Sequence, residues 1–93
     1  MNLTYDQHEY FRELRDSEIG KNIEAPIKEI PESWREDIIK VTKIDDQTTE
    51  YRFTYSECIW VSLVDSATNL VKSWHFVSAP EECRSLKYYE GAW

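Results

Sequence analysis

The sequence predicts an α+β fold, a four-stranded antiparallel meander with an N-terminal helix and a short C-terminal helix. Three observations carry that expectation. Tyr10, Phe11 and Leu14 recur at helical spacing near the start. From Ile38 onward the apolar pattern changes to a period of two over four short runs. A Ser-x-x-Glu start signal at Ser78 then precedes Leu86 and Tyr89. The chain has 93 residues, and at about 100–200 residues per domain this makes residues 1–93 a single domain with one small core.

The elements follow in order. Thr4 and Gln7 read as a capping box, and Gly20 closes the run, so the first helix is expected over residues 5–17. Pro26 and Pro31 lie in the stretch 21–32, which predicts an extended connector tied down by Ile23, Ile27 and Ile30. Ser33 and Glu36 repeat the capping pattern and allow a short helical turn carrying Trp34, expected to pack under the sheet edge. Strands are expected at 38–44, 49–55, 59–64 and 70–77, each rich in β-branched or aromatic residues and separated by Asp, Asn, Ser and Thr clusters. In the second strand Tyr51, Phe53 and Tyr55 share a face opposite Glu50, Arg52 and Thr54, as in a sheet that packs on one side and meets water on the other. The last two strands are apolar on both faces, with Trp60 opposite Ile59 and Val61, and Trp74 and Phe76 opposite Val71 and Val77. A final helix is expected over 79–88, with Pro80 in its first turn. If both helices cover one sheet face, the other exposes aromatic residues, and a homodimer is expected through them.

Composition excludes several function classes. Eighteen acidic residues against 11 basic ones leave a net charge of −7, which disfavours direct binding to nucleic acid or an anionic membrane and points to a basic partner. No apolar run approaches 18 residues, and residues 1–20 lack a basic start followed by an apolar stretch, so neither a membrane span nor a secretory signal is expected and the expected location is cytoplasmic. Cys58 and Cys83 are read as reduced thiols, too few for a disulfide framework or a four-ligand metal site. Gly20 and Gly91 stand alone, so no phosphate loop and no cofactor are expected. Asp45-Asp46 lacks the further oxygen ligands and the glycine of a calcium loop, and no metal site is expected. His8 and His75 have no nucleophile at a recognised spacing, so the chain is not expected to be an enzyme.

The carboxylates have more pattern. Asp6, Glu9, Glu13 and Asp16 follow i, i+3, i+7, i+10, one stripe of a helix about 15 Å long. Phe11 and Leu14 fall on the other side, which aims the stripe at solvent. Like charges at this spacing cost a helix about 0.2–0.5 kcal/mol per pair, although Arg12 and Arg15 flank the stripe and also allow an ordinary solvated face. Glu24, Glu29, Glu32, Glu36 and Asp37 follow in the connector and turn, and Asp45 and Asp46 in the first hairpin, where Asp is also ordinary turn chemistry. Residues 1–46 hold 12 acids and seven bases, whereas residues 47–93 hold six and four.

A short chain of pI near 4.7 with this capped acidic helix and a four-strand meander resembles the small acidic DNA-mimic, anti-restriction proteins of phages, in size and layout most like the Arn type of the T-even phages. The resemblance rests on size, charge and element order over the whole chain. It implies a dimer in the host cytoplasm whose carboxylates imitate DNA phosphates and block a modification-dependent restriction endonuclease of the McrBC type. Lys40, Lys43 and Arg52, within the strands, depart from that pattern by interrupting the negative field. The function expected is thus an acidic DNA-mimic inhibitor that competes with DNA for a basic DNA-binding protein through the 11 carboxylates named above. The alternative is a protein–protein adaptor or toxin-immunity protein that binds through an aromatic patch including Trp60, Trp74 or Trp93.

Overall fold

Asp6, in extended conformation, accepts hydrogen bonds from the backbone N–H groups of His8 (2.8 Å) and Glu9 (3.4 Å) and so caps the first helix, α1, Gln7–Ser17. The computed structural model describes residues 6–85. The cap is therefore two residues later than the expected Thr4 box, and Thr4 lies outside the described residues. Gly20 follows α1 with φ +88°, a left-handed conformation that favours glycine, and its N–H donates to the Val71 carbonyl at 2.8 Å.

The connector is only partly extended. Residues 20–23 run along the edge of the last strand, held by Val71 N–H to Lys21 O (2.8 Å) and Ile23 N–H to Asn69 O (2.9 Å). A short helix, α2, then occupies Glu24–Lys28, where an unbroken extended segment was expected. Pro26 is its third residue, and a first-turn position needs no intrahelical N–H donor. Pro31, rather than Ser33, is the N-cap of the next helix, α3, Glu32–Ile38. Ile23 and Ile30 are buried, so the connector is packed as expected. Trp34 is not: it is 56% exposed, because the seven-residue α3 directs Ile38 to the core and Arg35 to the Ile30 carbonyl (2.9 Å), leaving Trp34 outside.

The strands β1 (Ile39–Lys43), β2 (Thr48–Tyr55), β3 (Cys58–Asp65) and β4 (Val71–Phe76) form one antiparallel sheet in the order β1-β2-β3-β4, the expected meander. Its two longer turns use the same device. Asp45 Oδ1 accepts from Gln47 and Thr48 N–H (2.8 Å each), and Asp65 Oδ1 from Ala67 (2.8 Å) and Thr68 (3.2 Å). Phe53, Trp60 and Phe76 share one register row, placing the large rings on a single face. A register shift between Leu63 and Val64 brings Val71 to that face as well, beside Val64 rather than opposite Trp74.

The helices pack on this face, and one core joins Phe11, Ile23 and Ile30 to Phe53, Trp60, Val64 and Val71. Trp74 and Phe76 close the same cluster around Phe11, at centroid distances of 6.1 and 5.8 Å. The aromatic residues of β3 and β4 are thus under the helices, and the second sheet face does not expose them. On that face β3 contributes Ile59, Val61 and Leu63, and Val61 is only 1% exposed between its cross-strand neighbours Arg52 and His75.

The expected C-terminal helix is a single 3-10 turn, Pro80–Glu82, within the described residues; Leu86, Tyr88 and Tyr89 lie outside them. Cys83 is extended because it is tied on two sides. It forms a disulfide with Cys58, and its carbonyl accepts from His8 Nδ1 at 2.7 Å. Ser85 N–H then donates to Gln7 O at 3.1 Å. The disulfide corrects the reading of two free thiols: the sequence separates the residues by 25 positions, but the sheet and the returning segment bring their Cα atoms to 4.8 Å.

Candidate acidic surface

The helical layer carries most of the acid. Glu9 lies in the first turn of α1 and Glu13 near its middle, Glu24 begins α2, Glu29 caps its C-terminus, and Glu32, Glu36 and Asp37 belong to α3. All are exposed, as are Asp6, Asp16, Asp45 and Asp46. None of these 11 carboxylates takes part in a salt bridge among the described residues. Residues 6–38, the helical layer, hold ten acids and five bases, whereas the sheet region 39–77 holds five and four.

Two of the four α1 carboxylates have structural work as well. Asp6 is the N-cap, and the His8 N–H holds its carboxyl below the ordinary range. Asp16 accepts from Trp74 Nε1 at 2.8 Å. The stripe therefore does not stand wholly free: its C-terminal end leans onto β4, and Glu9 and Glu13 remain as its unengaged part. Asp45 likewise spends one oxygen on the first hairpin turn.

Of the five cations in the helical layer, Arg12, Lys21 and Lys28 are exposed and Arg15 and Arg35 are half-buried. Arg15 lies inward, its guanidinium 4.7 Å from the Phe11 ring centroid and 4.8 Å from that of Trp60, and it donates to Glu18 at 2.8 Å from Nη2 and 3.2 Å from Nε. Burial pushes the Glu18 carboxyl above its ordinary value despite this partner. Arg12 sits over Phe76 at 5.8 Å, and Arg35 is held by the Ile30 carbonyl. Lys40 and Arg52 are cross-strand partners whose rows alternate with the core row of Ile39 and Phe53, so they belong to the sheet face away from the helices. Lys72 donates to Thr48 Oγ1 at 2.7 Å, and Thr48 is on that same alternating row of β2. Of the strand cations that seemed to interrupt the acidic pattern, only Lys43 shares the helix-side row, at the far end of β1.

Neither the Arg15–Glu18 pair nor the disulfide was anticipated from the residues. The first was legible as an i, i+3 pair of opposite charge; the second had only an even cysteine count to announce it. No family model matches the chain, and no curated protein and no solved structure matches it significantly.

Proposed function

We propose that this protein is an acidic inhibitor that competes with DNA for the basic surface of a DNA-binding protein, such as a modification-dependent restriction endonuclease. The observation that supports it is the excess of exposed acid on the helical layer. Eleven exposed carboxylates, none in a salt bridge among the described residues, lie on the helical layer and first hairpin against the exposed cations Arg12, Lys21 and Lys28 of that layer, while Lys40, Arg52 and Lys72 belong to the opposite sheet face. A duplex presents about one charge per 1.7 Å, and the Lys and Arg side chains that bind it also pair with carboxylates. The reading includes no catalytic step and no cofactor. It includes a homodimer, which lengthens the track that one 11-residue helix offers. Of the residues in the aromatic-patch alternative, Trp60 is 6% exposed beneath α1 and Trp74 donates to Asp16, while Trp93 lies outside the described residues.

The test is capture from bacterial lysate with the tagged chain, eluted on a salt gradient. Recovery of a nucleic-acid-binding protein that leaves at moderate salt and is displaced by duplex DNA supports the proposal. A partner that survives high salt and ignores DNA overturns it. Among the described residues no helix is long and apolar enough to cross a membrane. A cytoplasmic site of action follows from the target proposed, and the Cys58–Cys83 disulfide weighs against it, since such bonds are rare where glutathione keeps thiols reduced. Alkylation of thiols at the moment of lysis separates the two: a blocked pair places the chain in a reducing compartment, and an unmodified pair in an oxidising one.

A further inference from the structure

The two edges of the sheet differ. On β4, Gly20 N–H donates to the Val71 carbonyl and Val71 N–H to the Lys21 carbonyl, at 2.8 Å each. On β1, no described residue outside the sheet bonds to the backbone of residues 40–43. Which groups β1 leaves open follows from its hairpin. Ile44 N–H donates to the Thr48 carbonyl at 2.9 Å, so by antiparallel alternation Lys40 and Thr42 bond to β2 while Val41 and Lys43 turn their N–H and C=O groups outward. Ile39 fits the same alternation: its N–H donates to the Arg35 carbonyl of α3, and its C=O faces the free edge.

The side chains along this edge are also unpaired within the chain. Val41 lies on the helix side of the sheet, in the row of Tyr51, and is 54% exposed. Trp34 of α3 and Ile44 at the end of β1 are exposed as well. On the other face Lys40 stands directly opposite Arg52, a like-charge pair that is unfavourable across two strands, while Glu50 faces Thr42. Neither Lys40, Arg52 nor Glu50 is in a salt bridge among the described residues.

We infer that the β1 edge pairs with the β1 edge of a second copy of this chain, antiparallel about a two-fold axis at Val41. Val41 N–H then donates to the Val41 carbonyl of the second copy and Lys43 N–H to its Ile39 carbonyl, each bond occurring twice by symmetry. Registers centred on Lys40 or Lys43 set lysine against lysine, whereas this one sets Lys40 against Thr42 and pairs the whole of β1. Charge complementarity selects a second copy as the occupant. The row on the open face becomes Arg52, Lys40, then Thr42 and Glu50 of the second copy, so the like-charged pair gains a carboxylate about 10 Å away, two strand spacings, across the short Thr42. A two-fold axis normal to the sheet keeps each face continuous, and both acidic helical layers come to lie on one side. The inference gives a surface to the homodimer of the DNA-competition reading and rests on that reading to this extent.

The experiment is sedimentation equilibrium of the full chain without DNA or any other protein, with circular dichroism to check the fold of each variant. The seam is short, so a dissociation constant on the order of ten micromolar is expected, with the parent mainly dimeric at about 100 µM. Val41→Pro removes an N–H that the β1–β2 ladder does not use, and should weaken association at least about tenfold while the fold is kept. Lys40→Glu and Glu50→Lys should each weaken self-association about three- to tenfold, and mixing the two variants should restore it, because each then offers the charge that the other needs. The mixture decides the matter if Val41→Pro does not fold. A parent that is monomeric at about 100 µM, a folded Val41→Pro variant that dimerises as the parent does, or a mixture no tighter than either charge variant alone would each overturn the inference. A dimer that meets these tests but captures no DNA-displaceable partner counts against the DNA-competition reading alone; a monomer that still captures one counts against the edge pairing alone.

Discussion

At Glu18 burial sets the direction of titration. Its carboxyl is raised by burial more than the Arg15 pairing lowers it, so the folded chain holds this proton more tightly than the unfolded chain does. Glu18 therefore opposes folding above its folded pKa, and that opposition fades as pH falls through the folded pKa toward the ordinary value of 4.5. Glu18→Gln removes the titration, so the melting temperature of the parent relative to this variant should rise on acidification from neutral pH toward 4.5. Thermal melts of the two proteins across that range check it. Asp6 and Asp65 act in a different window. Backbone N–H donors lower both carboxyls, so their contributions persist above the ordinary value of 3.8 and are lost as pH falls through their depressed folded pKa values. A parent curve that rises toward 4.5 and drops below 3.8 is the combined expectation.

At the scale of elements, α1 is attached at both ends and in the middle. Phe11 inserts between Trp60 and Phe76, Asp16 is tied to Trp74, and Gly20 joins the β4 edge. Its N-terminal turn depends on the returning segment, through His8 to the Cys83 carbonyl and Ser85 to Gln7. The disulfide fixes that segment to the start of β3. Replacing Cys58 and Cys83 by Ser should cost about 2–4 kcal/mol in urea unfolding. Hydrogen exchange should accelerate first at the N-terminal turn of α1 and at residues 83–85 rather than in β2 and β3. Uniform acceleration over the sheet would show that the bond stabilises the molecule globally and has no particular hold on α1.

The excess of acid on the helical layer belongs to the whole molecule, and so does its test. Glu9→Gln with Glu13→Gln removes two carboxylates that no hydrogen bond engages among the described residues. Asp6→Asn with Asp16→Asn instead disturbs the helix cap and the Trp74 bond. The first pair should slow association with the captured partner by about three- to tenfold at low salt while leaving stability within about 0.5 kcal/mol, and added salt should erase the difference. Stopped-flow association rates at several ionic strengths measure this. An effect that persists at high salt would mean that Glu9 and Glu13 make close contacts rather than a long-range field. Sedimentation equilibrium addresses the dimer: a monomer at tens of micromolar would confine the acidic track to one chain's helical layer.

Local pattern was enough for α1, the four strands and their order, because periodicity and turn chemistry act over a few residues, and Asp45 and Asp65 announce their own turns. It was enough, too, for the exposure of the carboxylates, since hydration of a charge needs no partner. Long-range geometry settled the rest. Which sheet face the helices cover followed from the β3–β4 register and its irregularity, which put Trp60, Trp74, Phe76 and Val71 together. Whether two cysteines pair depended on a Cα separation of 4.8 Å across 25 residues. That Lys40 and Arg52 lie away from the acidic helices depended on strand alternation joined to the choice of buried face. Each of these is set by how separated segments meet, and residue type and local spacing carry no information about that meeting.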